Sequence, residues 1–146
     1  MNTDPQPKAD PPEMIPPFEE NGYLLPGIHA ATLDEIEARF GRVPEIRRAQ
    51  MESLRWLADL AKRAGVERLV VNGSFTTDAF EPNDVDCALL IPAGVSMSRS
   101  LEEEFEAGLP YLQIDVTRAV AFFELVDGMF ATDRRMVPKG VVEVIL

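Results

Sequence analysis

The sequence predicts an α/β (α+β) domain, a small mixed, twisted sheet packed on one side by helices. Three observations predict it. Apolar runs of strand length at 67–72, 84–91 and 111–116 alternate with segments of helical period. The 146 residues amount to one domain, and 46% hydrophobic with 27% charged residues is an ordinary globular balance. No internal repeat and no second domain interrupts the order.

Residues 1–22 read as a flexible, acidic, proline-rich tail, and 23–146 as the folded domain. Asp4, Asp10, Glu13, Glu19 and Glu20 stand against Lys8 alone, among six of the twelve prolines. Such a composition buries too little apolar surface to offset the entropy of ordering. Pro16, Pro17 and Phe18 are the part able to dock on the domain or on a partner protein.

Thr32 and Glu35 form a capping box that opens a short helix, which Gly41 stops. Pro44 suits the first turn of the next helix, and Gly65 closes it. Along it Ile46, Ala49, Ser53, Leu57, Leu60 and Ala64 form the expected core stripe, with Trp56 beside it. Arg39, Arg42, Arg47 and Arg48 read as a solvated face, the alternative being a face turned to an anionic acceptor. Glu67–Asn72 is a buried strand ended by Gly73-Ser74, with Ser74 capping a turn through Ala79. A second strand covers Asp84–Ile91. Ser100 and Glu103 suggest another capping box, with Leu101, Phe105 and Leu109 inward. Tyr111–Val116 is a third strand, and 118–125 is ambiguous with helix favoured. Phe130–Thr132 and Val141–Leu146 are expected to pair around the turn at 133–139.

The informative stretch is Val71-Asn72-Gly73-Ser74-Phe75 followed by Asp84-Val85-Asp86. Strand alternation puts Asp84 and Asp86 on one face, about 7 Å apart along the backbone. Asp115 interrupts the apolar strand Leu112–Val116, where a charge needs an explanation. If the two strands are neighbours, three carboxylates converge. At 4 Å two such charges repel by roughly 4 kcal/mol at an effective dielectric near 20. A group of this kind protonates, splays or binds a cation, and oxygen ligands favour Mg²⁺ or Mn²⁺ over zinc. Gly73 lets a ligand approach the backbone, and the Ser74 hydroxyl suits a phosphate oxygen. The bland reading stays open: Pro82-Asn83-Asp84 is a turn signal, and Gly73-Ser74 also fits a tight turn with a cap.

Gly73-Ser74, Asp84-x-Asp86 and a later Asp115 resemble the nucleotidyltransferase (polymerase β-like) superfamily. Leu25–Thr32, Gly73-Ser74-Phe75 and Lys139–Glu143 resemble, more narrowly, small bacterial proteins of unknown function with a minimal nucleotidyltransferase-like domain, over about residues 23–146. The resemblance implies Gly73 and Ser74 on the nucleotide phosphates. It implies Asp84, Asp86 and Asp115 as catalytic residues holding Mg²⁺ (or Mn²⁺), and transfer of NMP from an NTP to an RNA end or a protein side chain. Such small relatives sit in toxin–antitoxin or phage-defence systems. The alternative is a catalytically inactive binding or regulatory module, which the acidic Asp78 and the lack of an acceptor domain fit.

Charge narrows the partners. The 25 acids and 14 bases give a net charge of −11, which disfavours duplex DNA and an anionic membrane surface. Neither a signal peptide nor an apolar run long enough to span a bilayer is evident, so a cytoplasmic protein is expected. The single cysteine, Cys87, reads as core, and the single histidine, His29, as a structural hydrogen-bonding residue.

Overall fold

The computed structural model describes residues 15–146. A five-stranded mixed sheet organises it, in the order β1-β5-β2-β3-β4. The strands are β1 (Ile28–Ala31), β2 (Arg68–Asn72), β3 (Val85–Leu90), β4 (Leu112–Thr117) and β5 (Val141–Val144). β2 runs antiparallel to both β3 and β5, while β1–β5 and β3–β4 are parallel.

Helix α1 (Leu33–Phe40) carries the expected capping box between Thr32 and Glu35 and ends at Gly41. Helix α2 (Glu45–Ala64) begins after Pro44 and closes on Gly65 in the left-handed region, φ +77°. At its N-terminal end the buried stripe is Arg47, Gln50 and Leu54 rather than Ile46 and Ala49. Helix α3 (Arg99–Ala107) is capped by Ser98, whose Oγ accepts from the Leu101 amide; the expected Ser100–Glu103 box does not form, and Glu103 pairs with Arg99 instead. Leu109 lies beyond that helix and is exposed.

Helices pack on both faces of the sheet, not on one. Leu69, Val71, Val85, Cys87 and Leu89 point toward α1, α2 and α3. Val70, Ala88, Leu90 and Val141 point the other way. Phe122, Val126 and Phe130 cover this second face. They come from α4 (Ala119–Phe123), which continues as a π-helix over Glu124–Phe130. Their four-residue spacing is what settles the ambiguous 118–125 segment as helix. Arg68 braces this layer from the sheet, paired with Glu143 and lying over the rings of Phe122 and Phe123.

The expected pairing of Phe130–Thr132 with Val141–Leu146 does not form. β5 inserts between β1 and β2 instead, and Thr132 makes a lone bridge to Pro138. β5 is Val141-Val142-Glu143-Val144, and both of its faces find apolar neighbours only inside the sheet. Residues 15–22, assigned to the tail by composition, pack on the domain. Ile15 is buried, Phe18 bridges Leu24 and lies edge-on to Phe40, and Arg39 donates to the Ile15 and Pro16 carbonyls. The rest of that segment lies outside the described residues. Among the described residues no helix is long and apolar enough to cross a membrane.

Candidate functional site

The site forms where β2 ends and β3 begins. Asn72, the last residue of β2, is the register partner of Asp86. Gly73 follows at φ +90°, and a Cβ there would stand 3.0 Å from the Asp84 carbonyl and 3.1 Å from both Asp84 Oδ1 and the Asp86 amide. Only glycine fits this backbone angle and this close approach together. The Ser74 amide and hydroxyl both donate to Asp84 Oδ1, at 3.1 and 2.9 Å. In return Ser74 Oγ accepts from the Asn83 amide at 2.8 Å. The Gly-Ser turn is thereby closed onto Asp84. The helical turn after it is a 3₁₀ turn of three residues, Ser74–Thr76, shorter than expected, and the Ser74 hydroxyl latches Asp84 instead of capping it.

The 73–84 loop is held from behind. Phe75 is fully buried against Phe40, with ring centroids 5.8 Å apart. Arg47 is no surface residue: it is 5% exposed and donates to the carbonyls of Phe40, Phe75, Thr77 and Ala79. Its planar fork reaches several loop carbonyls at once, which an ammonium group does less well. Gln50 Nε2 fixes the far end by donating to the Pro82 carbonyl. One end of α2 thus sets the position of both Ser74 and Asp84.

The front of the loop opens on a cavity of about 340 Å³. Gly73, Ser74, Asp84 and Asp86 line it, as do Asn72, Arg134 and Lys139, with Met129 and Phe130 from the π-helix. Burial, and then the neighbouring Asp84 charge, push the Asp86 carboxyl up to about 6. Lys139 opposes that rise. Burial lowers the Lys139 ammonium below its ordinary value, while Asp86, Asp84 and Asp133 pull it back up. The two acids and this lysine therefore share one field in a partly desolvated place.

Four of the five expected site residues meet here; Asp115 does not. β3 and β4 are neighbours and Asp115 lies on the same sheet face as Asp86. The register, however, pairs Asp86 with Gln113 and Asp115 with Ala88. That offset is one pleat repeat, about 7 Å along the strand. Asp115 is exposed and does not line the cavity, although its charge is felt at Asp86. Among the described residues, no three His, Cys, Asp or Glu side chains stand close enough to hold a metal ion.

The oxygen donors that are gathered still suit a hard cation. Asp84 and Asp86 lie side by side, and Asn72 Oδ1 is shielded from water with no hydrogen-bond partner. Asn72 and Lys139 were not singled out by sequence reasoning. A polar residue closing the run Leu69-Val70-Val71 on the same face as Val70 was the available signal for Asn72. Lys139 sits two residues before β5 and lines the cavity, a relation invisible until β5 is placed in the sheet. His29 Nε2 donates to the Leu25 carbonyl at 2.6 Å, and Cys87 is buried with its thiol pushed up by burial. Neither belongs to the cavity.

A model of the family described as "Family of unknown function (DUF6932)" matches residues 16–145. No curated protein and no solved structure matches the chain.

Proposed function

The chain belongs to the DUF6932 family, and we propose that it is a metal-dependent, nucleotidyltransferase-like protein that transfers NMP from an NTP to an acceptor. The observation that carries this reading is the closure of the Gly73-Ser74 turn onto Asp84, beside Asp86, in a cavity that also presents Lys139 and Arg134. Carboxylates beside cationic side chains suit a metal–triphosphate pair, whose two components carry opposite charge.

In this reading Asp84 and Asp86 hold Mg²⁺ or Mn²⁺. The cation, when bound, supplies charge neutralisation at the transferring phosphoryl group. Gly73 leaves room for the β- and γ-phosphates at the backbone, and Ser74 Oγ lies at the same edge of the cavity. Lys139 and Arg134 neutralise the triphosphate. An acceptor hydroxyl, of an RNA end or a protein side chain, attacks the α-phosphorus. The α–β bridging P–O bond breaks, pyrophosphate leaves, and the hydroxyl proton passes to a base. Asp115, on the neighbouring strand, is the carboxylate available to orient that hydroxyl or take its proton. The NTP and Mg²⁺ this requires are those of the cytoplasm.

Two observations favour a second reading, a nucleotidyltransferase-fold binding or regulatory module without catalysis. Asp115 stands outside the cavity, and the Lys139 charge already opposes the Asp84–Asp86 pair. A partner protein recruited by the acidic N-terminal segment belongs to this reading.

Equilibrium unfolding with Mg²⁺ or Mn²⁺ and each NTP tests the first reading. A ligand at a hundred times its Kd stabilises the native state by about 2.7 kcal/mol. The wild type is expected to gain stability with metal alone and further when NTP is added with the metal, and Asp84→Asn/Asp86→Asn to gain none. Absence of any metal-dependent gain in the wild type contradicts nucleotidyl transfer. Metal-dependent NTP binding without any labelled product on RNA or protein favours the second reading.

A further inference from the structure

Asn72 is the unexplained group of the cavity. It is 4% exposed, at the end of β2, and its Oδ1 is enclosed without a hydrogen-bond partner. A buried acceptor in that condition costs about 1–3 kcal/mol, and a site that keeps one needs a reason. Its register partner across the sheet is Asp86, on the same face, where side chains of paired residues stand about 5 Å apart. Asp84 lies on the other side of Asp86, already engaged through Oδ1 by Ser74. Asn72 and the two acids thus line one cavity, a side-chain amide beside two carboxylates.

A group of acceptors is satisfied by a donor or by a cation. Of the cationic side chains lining the cavity, Lys139 acts on Asp86 and Asp84, and neither it nor Arg134 hydrogen-bonds to Asn72 Oδ1. Ser74 spends its hydroxyl on Asp84. A neutral amide oxygen with two carboxylates is a ligand set for a hard divalent cation, which takes side-chain amide oxygens alongside carboxylates.

We propose that Asn72 is a direct cation ligand, its Oδ1 completing with Asp84 and Asp86 a site in which Asp115 takes no part. This rests on the metal-dependent reading above and deepens it by naming the third protein ligand. Asp115 is thereby left free for the acceptor side of the reaction. The sheet accounts for the choice: Asn72 is locked to Asp86 by direct register pairing, whereas Asp115 is offset by one pleat repeat.

The experiment titrates Mn²⁺ alone, without nucleotide, into the full chain and reads free Mn²⁺ by its paramagnetic resonance signal. Wild type, Asn72→Ala, Asn72→Asp and Asp84→Asn/Asp86→Asn are compared, each checked for folding by circular dichroism. Wild type is expected to bind one Mn²⁺, and the double variant none. Asn72→Ala should bind about tenfold more weakly or worse. Asn72→Asp, which keeps shape and adds a charged oxygen, should bind at least as tightly as wild type, because affinity rises with ligand charge. This last variant also protects the test if the alanine form folds poorly. Wild-type affinity in Asn72→Ala, or a loss in a folded Asn72→Asp, overturns the ligand assignment and leaves the proposed function standing. If wild type binds no Mn²⁺, both fall together.

Discussion

Asp86→Asn should stabilise the metal-free protein at neutral pH, although it removes a proposed cation ligand. In the folded chain the Asp86 carboxyl stands at about 6 against an ordinary 3.8, through burial and the Asp84 charge. The folded state thus holds the proton more tightly than the unfolded chain. That contribution to stability is complete below about pH 4 and is lost as pH rises through about 6. At about 1.4 kcal/mol per pH unit the full effect is roughly 3 kcal/mol. Asp86 is half-buried, so solvent screening reduces it to about 1.5 kcal/mol. Asparagine keeps the shape and never carries the charge. In urea unfolding with EDTA, the variant should exceed wild type by about 1.5 kcal/mol at pH 7.5, and the gap should close toward pH 4. Added Mn²⁺ should reverse the order, stabilising wild type alone. A variant that is less stable than wild type in EDTA at pH 7.5, or a gap constant with pH, refutes the reasoning.

Other perturbations reach different parts of the account. Lys139→Met removes the charge that holds the Asp86 carboxyl down, so carboxyl NMR should show Asp86 titrating above about 6; an unchanged midpoint contradicts the shared field. Arg47→Met leaves the carbonyls of Phe40, Phe75, Thr77 and Ala79 without their common donor. It should cost about 3 kcal/mol in denaturant unfolding, and Arg47→Lys should recover only part of that. Gly73→Ala should cost about 1–2 kcal/mol from its positive φ and abolish Mn²⁺ binding by displacing Asp84. Tyr23→Phe, which breaks a 2.7 Å bond to Asp133, should cost about 1 kcal/mol and leave Mn²⁺ affinity unchanged.

The local signals in the sequence were sound where chemistry is local. Thr32 and Glu35, Gly41, Pro44 and Gly65 mark α1 and α2 because caps are decided within a few residues. The apolar runs mark β2, β3 and β4 for the same reason. The position of β5 between β1 and β2 was hidden, because strand order depends on contacts far apart in sequence. Ile28–Ala31 was visible only as part of a motif; four residues holding a histidine and two alanines carry little strand signal. Composition treats arginine as surface and so places Arg47 on a solvated face, whereas the carbonyls of the 73–80 loop supply it with buried acceptors. The Gly73, Ser74, Asp84 and Asp86 part of the site was legible from spacing. The offset of Asp115 depends on the β3–β4 register, and the nearness of Asn72 and Lys139 depends on the sheet as a whole.

The central claim is that Asp84 and Asp86 hold a divalent cation against a nucleoside triphosphate. A crystal structure with Mn²⁺ and a non-hydrolysable NTP analogue, using anomalous scattering to locate manganese, tests it most directly. The account predicts an anomalous peak between the Asp84 and Asp86 carboxylates, with the triphosphate against Gly73, Ser74 and Lys139. A cavity without manganese at saturating concentration, or a peak and triphosphate elsewhere on the chain, would contradict it.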